Sequence, residues 1–225
     1  MNLKAADVSI LSESPLFMGM SETEIRERLY LLKAERKSYA KEAVIYHSGD
    51  RIRIFGLILQ GCVKIALADF WGNQHILARI EAGQVFAETY ACVGEPLMVD
   101  VIAAETSEVL FLNASALFSE NGATVSGRNI MADNLLRISM RKNLMLSRRI
   151  CHTTPKTIRE RLLSFLTHCA VQAGKPVFDI PYDRQGLADY LSVERSALSK
   201  ELGKMRREGI IDFQKNHFIL LNREQ

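Results

Sequence analysis

Residues 183–207 read DRQGLADYLSVERSALSKELGKMRR, and the groups there that could do chemistry are cations and hydroxyls. Leu198, Leu202 and Met205 recur at i, i+4 and i+7, the spacing of one buried helical face. The opposite face then displays Arg195, Ser196, Ser199, Lys200 and Lys204, and residues 195–207 hold five basic side chains against one acid. A lysine on a helix lying in a major groove can donate to guanine O6 and N7, and serine hydroxyls can donate to or accept from base edges. Lys200, Ser196 and Ser199 are therefore the candidate base readers. Arg184, Lys204, Arg206 and Arg207 are better placed for phosphate oxygens, which give affinity and register but no sequence information. An ordinary helix pair with a solvated charged face would carry similar residues, so the surrounding elements must decide.

Those elements fit a DNA-reading geometry. Asp183 can cap a first helix that buries Leu187, Ala188 and Leu191; a turn at Ser192–Val193–Glu194 follows, and a second helix starts at Arg195. The small Ala188 lets the two helices approach, and Val193 fills the corner between them. After Gly209, IIDFQKNHFILLN places two β runs around Lys215–Asn216, where Asn tolerates a left-handed turn. A helix-turn-helix followed by a hairpin is a winged helix. Upstream, Thr154 as N-cap and Pro155 at the first helical position begin a helix to about Val171, and the segment Cys151–Pro155 reads as a hinge.

Residues 124–150 contain no Pro and many helix formers. Met131, Leu135, Ile138 and Met145 alternate by fours and threes, with Lys142 interrupting, a coiled-coil spacing over about three heptads. Arg137, Arg141, Lys142, Arg148 and Arg149 on the same helix favour pairing with its copy in a dimer over packing on its own domain.

The N-terminal half has another texture. Residues 15–37 read as a short amphipathic helix with a Ser21–Glu24 capping box. Short β runs follow at Val44–Tyr46, Ile54–Leu59, Val63–Leu67, Ile76–Ile80, Val99–Ala103 and Val109–Leu112. Gly61, Gly72, Gly83 and Gly94 recur every 11 residues, a turn rhythm that predicts an antiparallel sandwich or barrel without a helix of useful length. Residues 1–120 carry 11 basic and 16 acidic side chains, a net −5; residues 121–225 carry 18 and 10, a net +8. That division points the C-terminal half at a polyanion.

Other chemistry finds little support. Cys62, Cys92, Cys151 and Cys169 are far apart and read as reduced structural thiols, and the five histidines show no ligand spacing. Acidic pairs such as Glu22 and Glu24 read as solvated faces, and no nucleophile elbow, phosphate loop or HExxH is present, so no enzymatic activity is expected. No apolar run reaches the roughly 18 residues of a membrane span. Met1 to Ser14 lacks a signal-peptide layout, which places the expected site of action in the cytoplasm.

The segments YHSGDRIRIFGLILQGCVKI, GQVFAET and RQGLADYLSVERSALSKELGKMRREGII, in this order over nearly the whole chain, resemble the Crp/Fnr family of bacterial transcription regulators. The resemblance implies an α+β chain: a double-stranded β-helix (jelly-roll, cyclic-nucleotide-binding-like) sensor domain over 1–123, a long dimerisation helix over 124–150 and a winged helix-turn-helix domain over 151–225. It further implies a homodimer on an inverted repeat of double-stranded DNA, a small effector in the β-roll beside the long helix, and RNA polymerase as partner if the protein activates. Ser196, Ser199 and Lys200 match base-reading positions, though position 196 is often Glu in the family, and Arg184 matches a phosphate-contacting one.

The cassette FAETYACVGEPLMVDV departs from the family pattern. Glu88 is kept, but Met98 and Val99 stand where cyclic-nucleotide binders resembling this chain have an Arg-Ser pair for the cyclic phosphate. A buried phosphate without a cation is poorly compensated, which argues against cyclic AMP or GMP in the usual pose. The family's N-terminal cysteine cluster is absent, which argues against an iron-sulfur cluster; haem on His75 or Cys92, another small molecule or no ligand remain as readings. A ligand-binding or protein-interaction module without specific DNA reading is the alternative function.

Overall fold

The glycine-separated apolar runs pair as strands. The computed structural model describes residues 4–68, 74–118 and 125–221. Among the described residues, eight strands fall in the N-terminal half: β1 (Glu35–Tyr39), β2 (Val44–Tyr46), β3 (Ile54–Gln60), β4 (Cys62–Ala68), β5 (Gln74–Glu81), β6 (Val85–Phe86), β7 (Asp100–Ala103) and β8 (Ser107–Asn113). They form two antiparallel four-stranded sheets, ordered β1-β8-β3-β6 and β2-β7-β4-β5. One core draws on both, with Phe55, Leu57 and Leu110 from the first sheet and Tyr46, Val63 and Val101 from the second. Gly61, Gly83 and Gly94 have positive φ, as the turn rhythm requires, whereas Gly72 lies outside the described residues.

β3 holds this unit together. Phe55 to Leu59 are all buried, so both of its faces are covered rather than one. It lies between β8 and β6, and α1 (Ala5–Glu13), α3 (Glu88–Val93) and α4 (Ala114–Phe118) pack on it. A Cβ at Gly56 would stand 2.1 Å from the Phe86 ring, so only glycine lets β3 and β6 approach this closely.

Several expectations need correction. The helix expected over 15–37 is α2 (Glu22–Leu31) alone, because Lys33 turns to a φ of 49° and the chain enters β1 at Glu35. Its Ser21–Glu24 capping box is present, with Ser21 N donating to Glu24 Oε2 at 2.7 Å. The N-terminal residues form α1, bound to the sheet by Arg36, which pairs with Asp7 at 2.8 Å and also with Glu108. α3, only six residues long, is the short helix in a stretch expected to hold none of useful length; it is started by the left-handed Ala87 and ended by the left-handed Gly94.

The long helix, α5, runs Val125–Thr153. Met131 and Leu135 are buried in the N-terminal core and Ile138 packs against it, while Asn134 donates to the carbonyls of Leu16 and Met18. These three apolar residues therefore serve their own domain and are not available as a dimer seam. Met145, the fourth member of the expected seam, is 67% exposed. A second apolar face is exposed instead, comprising Leu136, Met140, Leu144 and Ile150. Successive members at 100° per residue stay within about one-third of a turn of Leu136.

The chain divides into units Met1–Met140 and Arg141–Gln225. In the second, α6 (Ile158–Ala173), α7 (Arg184–Leu191) and α8 (Arg195–Arg207) close over a three-stranded sheet ordered β10-β11-β9, from β10 (Ile211–Gln214), β11 (His217–Leu220) and β9 (Val177–Asp179). Leu162, Phe165, Leu166, Leu187, Leu198 and Phe218 are among its core residues. α6 starts later than expected: Thr157, not Thr154, is the N-cap, in a capping box with Glu160. Thr153 and Thr154 instead turn their hydroxyls back onto the carbonyls of Arg149 and Ile150.

Candidate nucleic-acid interface

The start of α8 and the turn before it are set by local causes. Asp183 caps α7 by accepting from Gly186 N at 2.7 Å. α7 then buries Leu187, Ala188 and Leu191 and stops at Ser192, whose φ of 53° is left-handed. A non-glycine residue in that conformation costs about 1–2 kcal/mol. The turn is braced by Arg161, which donates to the carbonyls of Leu191 and Ser192 at 3.0 and 3.1 Å. Glu194 caps α8, and its carboxylate accepts from Ser196 N at 2.7 Å and Ala197 N at 3.2 Å. Leu198, Leu202 and Met205 are fully buried, so α8 is fixed by one face and has no freedom to roll.

The other face is open. Arg195, Ser196, Ser199, Lys200 and Lys204 are all exposed, on consecutive turns of one helix. Among the described residues Arg195, Lys200, Lys204 and Arg207 have no ion pair, and their charges are available to a polyanion. Arg206 does not belong with them: it pairs with Asp212 at 2.7 Å and lies over the Phe213 ring, holding α8 to the hairpin. Behind the helix, Arg159 bridges to Glu201 at 2.6 Å and Glu208 at 2.7 Å, tying α6 to α8.

Arg184 has a structural task that its sequence position did not reveal. It is half-buried, lies over the rings of Phe213 and Phe218 at 5.0 and 5.8 Å, and donates to Lys215 O at 3.2 Å. Burial pushes its guanidinium below the usual arginine range. Arg184 thus holds the hairpin against α7, and any phosphate contact is made from that stacked position. The hairpin itself turns at Lys215, with a φ of 54°, rather than at Asn216; Asn216 donates its side-chain amide to Ile180 O.

Sequence reasoning also missed a cluster at the end of α5. His152 is buried, with Nδ1 2.9 Å from Tyr190 Oη and its ring against Phe165 and His168. Burial, then His168 and Arg148, pushes its imidazole below the usual histidine range. Arg149 donates to the carbonyls of Tyr190 and Asp189. The last turns of α5 are therefore clamped to α7, and the segment from Cys151 is not the free hinge expected there. Contacts between residues 13 to 41 apart in sequence make the cluster, so no local signal marks it.

The residues expected to line an effector pocket differ in exposure. Glu88 is buried at the start of α3, Val99 is half-buried and Met98 is 71% exposed. Met98 faces solvent while Glu88 faces the interior. Cys62 is buried and Cys92 exposed; the side chain of His75 lies outside the described residues. Burial and the neighbouring Glu88 push the Cys92 thiol above the ordinary cysteine range.

Comparison with known proteins fits both units. A cyclic nucleotide-binding domain model matches residues 36–120, and a Crp-like helix-turn-helix domain model matches residues 160–225. The chain is 25% identical over 199 residues to the cyclic AMP receptor protein of Thermus thermophilus, covering 88% of each. Its fold is similar to CprK complexed with OCPA, with TM-score 0.64 and 16% identity over 88% of this chain and 89% of that one. It is also similar to the N-terminal domain of a transcriptional regulator from Streptomyces coelicolor, with TM-score 0.50 and 18% identity over 60% and 94%. A cyclic nucleotide-binding domain fold and a Crp-like winged helix with an exposed basic helix face, in one chain, define a DNA-binding transcription regulator. The chain thus carries a cyclic nucleotide-binding domain and a Crp-like helix-turn-helix domain, the pair that its resemblance to Crp/Fnr regulators implied.

Proposed function

We propose that this regulator acts as a homodimer that reads a two-fold symmetric operator through the exposed face of α8. The observation that carries the proposal is the division of α8 itself: Leu198, Leu202 and Met205 have no exposure, while Arg195, Ser196, Ser199, Lys200 and Lys204 are all in solvent. Lys200 and the two serines meet base edges, and Lys204, Arg207 and the stacked Arg184 meet phosphates. Two copies pair through Leu136, Met140, Leu144 and Ile150 on α5, an exposed apolar strip long enough for knobs-into-holes packing. The dimer presents its α8 helices about 34 Å apart, matching successive major grooves on one side of the duplex.

The effector is not a cyclic nucleotide in the usual pose. The cyclic-phosphate positions are Met98 and Val99, and neither supplies a charge or a hydroxyl. A small molecule of other chemistry would act by shifting the population of DNA-competent dimers.

Selection of binding sites from a random duplex pool, at one fixed salt concentration and with or without a small-molecule extract, tests the proposal. Enrichment of an inverted repeat is expected, and added cyclic AMP should leave it unchanged. Failure to enrich any sequence under both conditions would favour a ligand-binding or protein-interaction module.

A further inference from the structure

Two of the three candidate base readers are hydroxyls, and a hydroxyl has one donor and two acceptor sites. What Ser196 and Ser199 can recognise depends on where their single protons go. Ser196 Oγ donates to Glu194 Oε2, the same oxygen that accepts the backbone N–H groups of Ser196 and Ala197. Ser199 Oγ donates to Arg195 O at 3.0 Å, back along the helix. Both protons are therefore directed into the protein, and both oxygens keep their lone pairs for the outside.

The two cases differ in strength. Ser199 donates to a neutral carbonyl that already has a place in the helix, a weak bond that a base carbonyl could replace. Ser196 donates to a carboxylate, and charge-assisted hydrogen bonds are about twice as strong as neutral ones. The Ser196 hydroxyl and the N–H groups of Ala197 and Ser196 hold the Glu194 carboxyl below the usual range, so it stays an anion that can only accept. A base offering O6, N7 or O4 would have to win the proton from that anion.

We propose that Glu194 fixes the polarity of the reading face: by taking the Ser196 proton it makes Ser196 an acceptor, matched to a base that presents an amino group in the major groove, adenine N6 or cytosine N4. This rests on the assignment of α8 as the reading helix. Glu194 is a positioning residue in this scheme, acting on DNA through Ser196. Lys200 supplies the complementary donor for guanine one turn further along. The loss of an anionic acceptor at position 196, relative to the glutamate common at this position in the family, is thereby offset: the serine keeps the acceptor polarity and the anion stands behind it.

The test starts from the operator selected by the full-length protein. The base step whose preference changes in Ser196→Ala is the step that Ser196 touches. Two sets of duplexes are then made at that step, one with the amino group removed (purine for adenine, 2-pyrimidinone for cytosine) and one with the purine N7 removed (7-deaza analogue). For the wild type, loss of the amino group should weaken binding about two- to tenfold, the range of one hydrogen bond. Loss of N7 should leave binding unchanged.

Ser196→Ala should be indifferent to the amino group, which also controls for altered duplex stability. Glu194→Gln keeps an oxygen for the helix N–H groups but adds a donor amide, so its amino-group dependence should fall below about twofold. Each ratio is taken within one variant, so a general loss of helix stability cancels. Full amino-group dependence in Glu194→Gln, dependence on N7 in the wild type, or an unchanged operator in Ser196→Ala would each overturn the inference while leaving DNA reading intact. Absence of any selected operator would remove the reading assignment itself, and the inference with it.

Discussion

The two units place their ion pairs differently. In Met1–Met140 the pairs brace the fold itself: Arg36 lies between Asp7 and Glu108, Lys64 pairs with Glu42, and Arg26 with Glu22. In Arg141–Gln225 the pairs at Arg159 and Arg206 lie behind or beside α8, and among the described residues the outer face of α8 keeps its cations without an ion pair. A paired cation must give up a partner before it binds a phosphate; an unpaired one need only release counterions. The same contrast runs through the proposed functions: the outer face of α8 displays cations suited to a polyanion, and in the β unit Met98 and Val99 stand where the resemblance implied phosphate contacts.

The sharpest way to break this contrast is to unfold one unit alone. Leu198→Asp places an unpaired charge at a fully buried position and should cost several kcal/mol. Calorimetry should lose the transition of the C-terminal unit and keep that of the β unit; loss of both would show that they do not fold separately. Next in size is the dimer. Leu136→Glu with Met140→Glu should yield monomers by sedimentation and reduce affinity for the symmetric site by about a hundredfold or more, the loss expected when two half-sites are no longer linked. Leu135→Glu should instead destabilise the β unit, because Leu135 is buried in its core. If Leu135→Glu gave folded monomers, the assignment of the two faces of α5 would be reversed.

A smaller effect is expected at Arg184. Arg184→Ala removes its stacking on Phe213 and Phe218 and the bond to Lys215, and should weaken specific and random duplexes alike, by about five- to tenfold. A change in base preference would assign it a reading role instead. The smallest effect is that of pH on the clamp at the end of α5. His152 has a folded-state pKa below its unfolded value, so between those values the unfolded chain binds more protons. The clamp's contribution is complete above the unfolded value near 6.5 and declines as pH falls toward the folded one. The C-terminal transition should therefore move to lower temperature on acidification from pH 7.5 to 5.5, and His152→Gln should reduce that movement. An equal movement in the variant would place the titration elsewhere.

What could be read from sequence follows the range of the interactions. α7 and α8 were legible because their caps and apolar spacing are local: Asp183, Leu187, Leu191, Leu198, Leu202 and Met205 all have the expected places. Six strands were visible as apolar runs, but β1, ERKSY, is a charged edge strand without alternation, and β6 has only two residues. Spacing revealed that α5 has an apolar face but not that it has two, and the strip at Met131, Leu135 and Ile138 belongs to the domain core. A Thr-Pro start signal at Thr154 lost to the capping box three residues later. The proton direction at Ser196 depends on a cap geometry that residue types alone do not show. Arg184 was assigned to phosphate from its position, whereas its partners in the hairpin lie about 30 residues away.

The central claim is that the exposed face of α8 reads base edges, and Lys200 tests it most directly. Affinities of the wild type and Lys200→Ala are measured for the selected operator and for a scrambled duplex, at one fixed salt concentration. The account predicts that the variant loses about five- to 150-fold on the operator, the range of one base contact, and much less on the scrambled duplex. Equal losses on both duplexes would make Lys200 a phosphate contact and contradict base reading by this face.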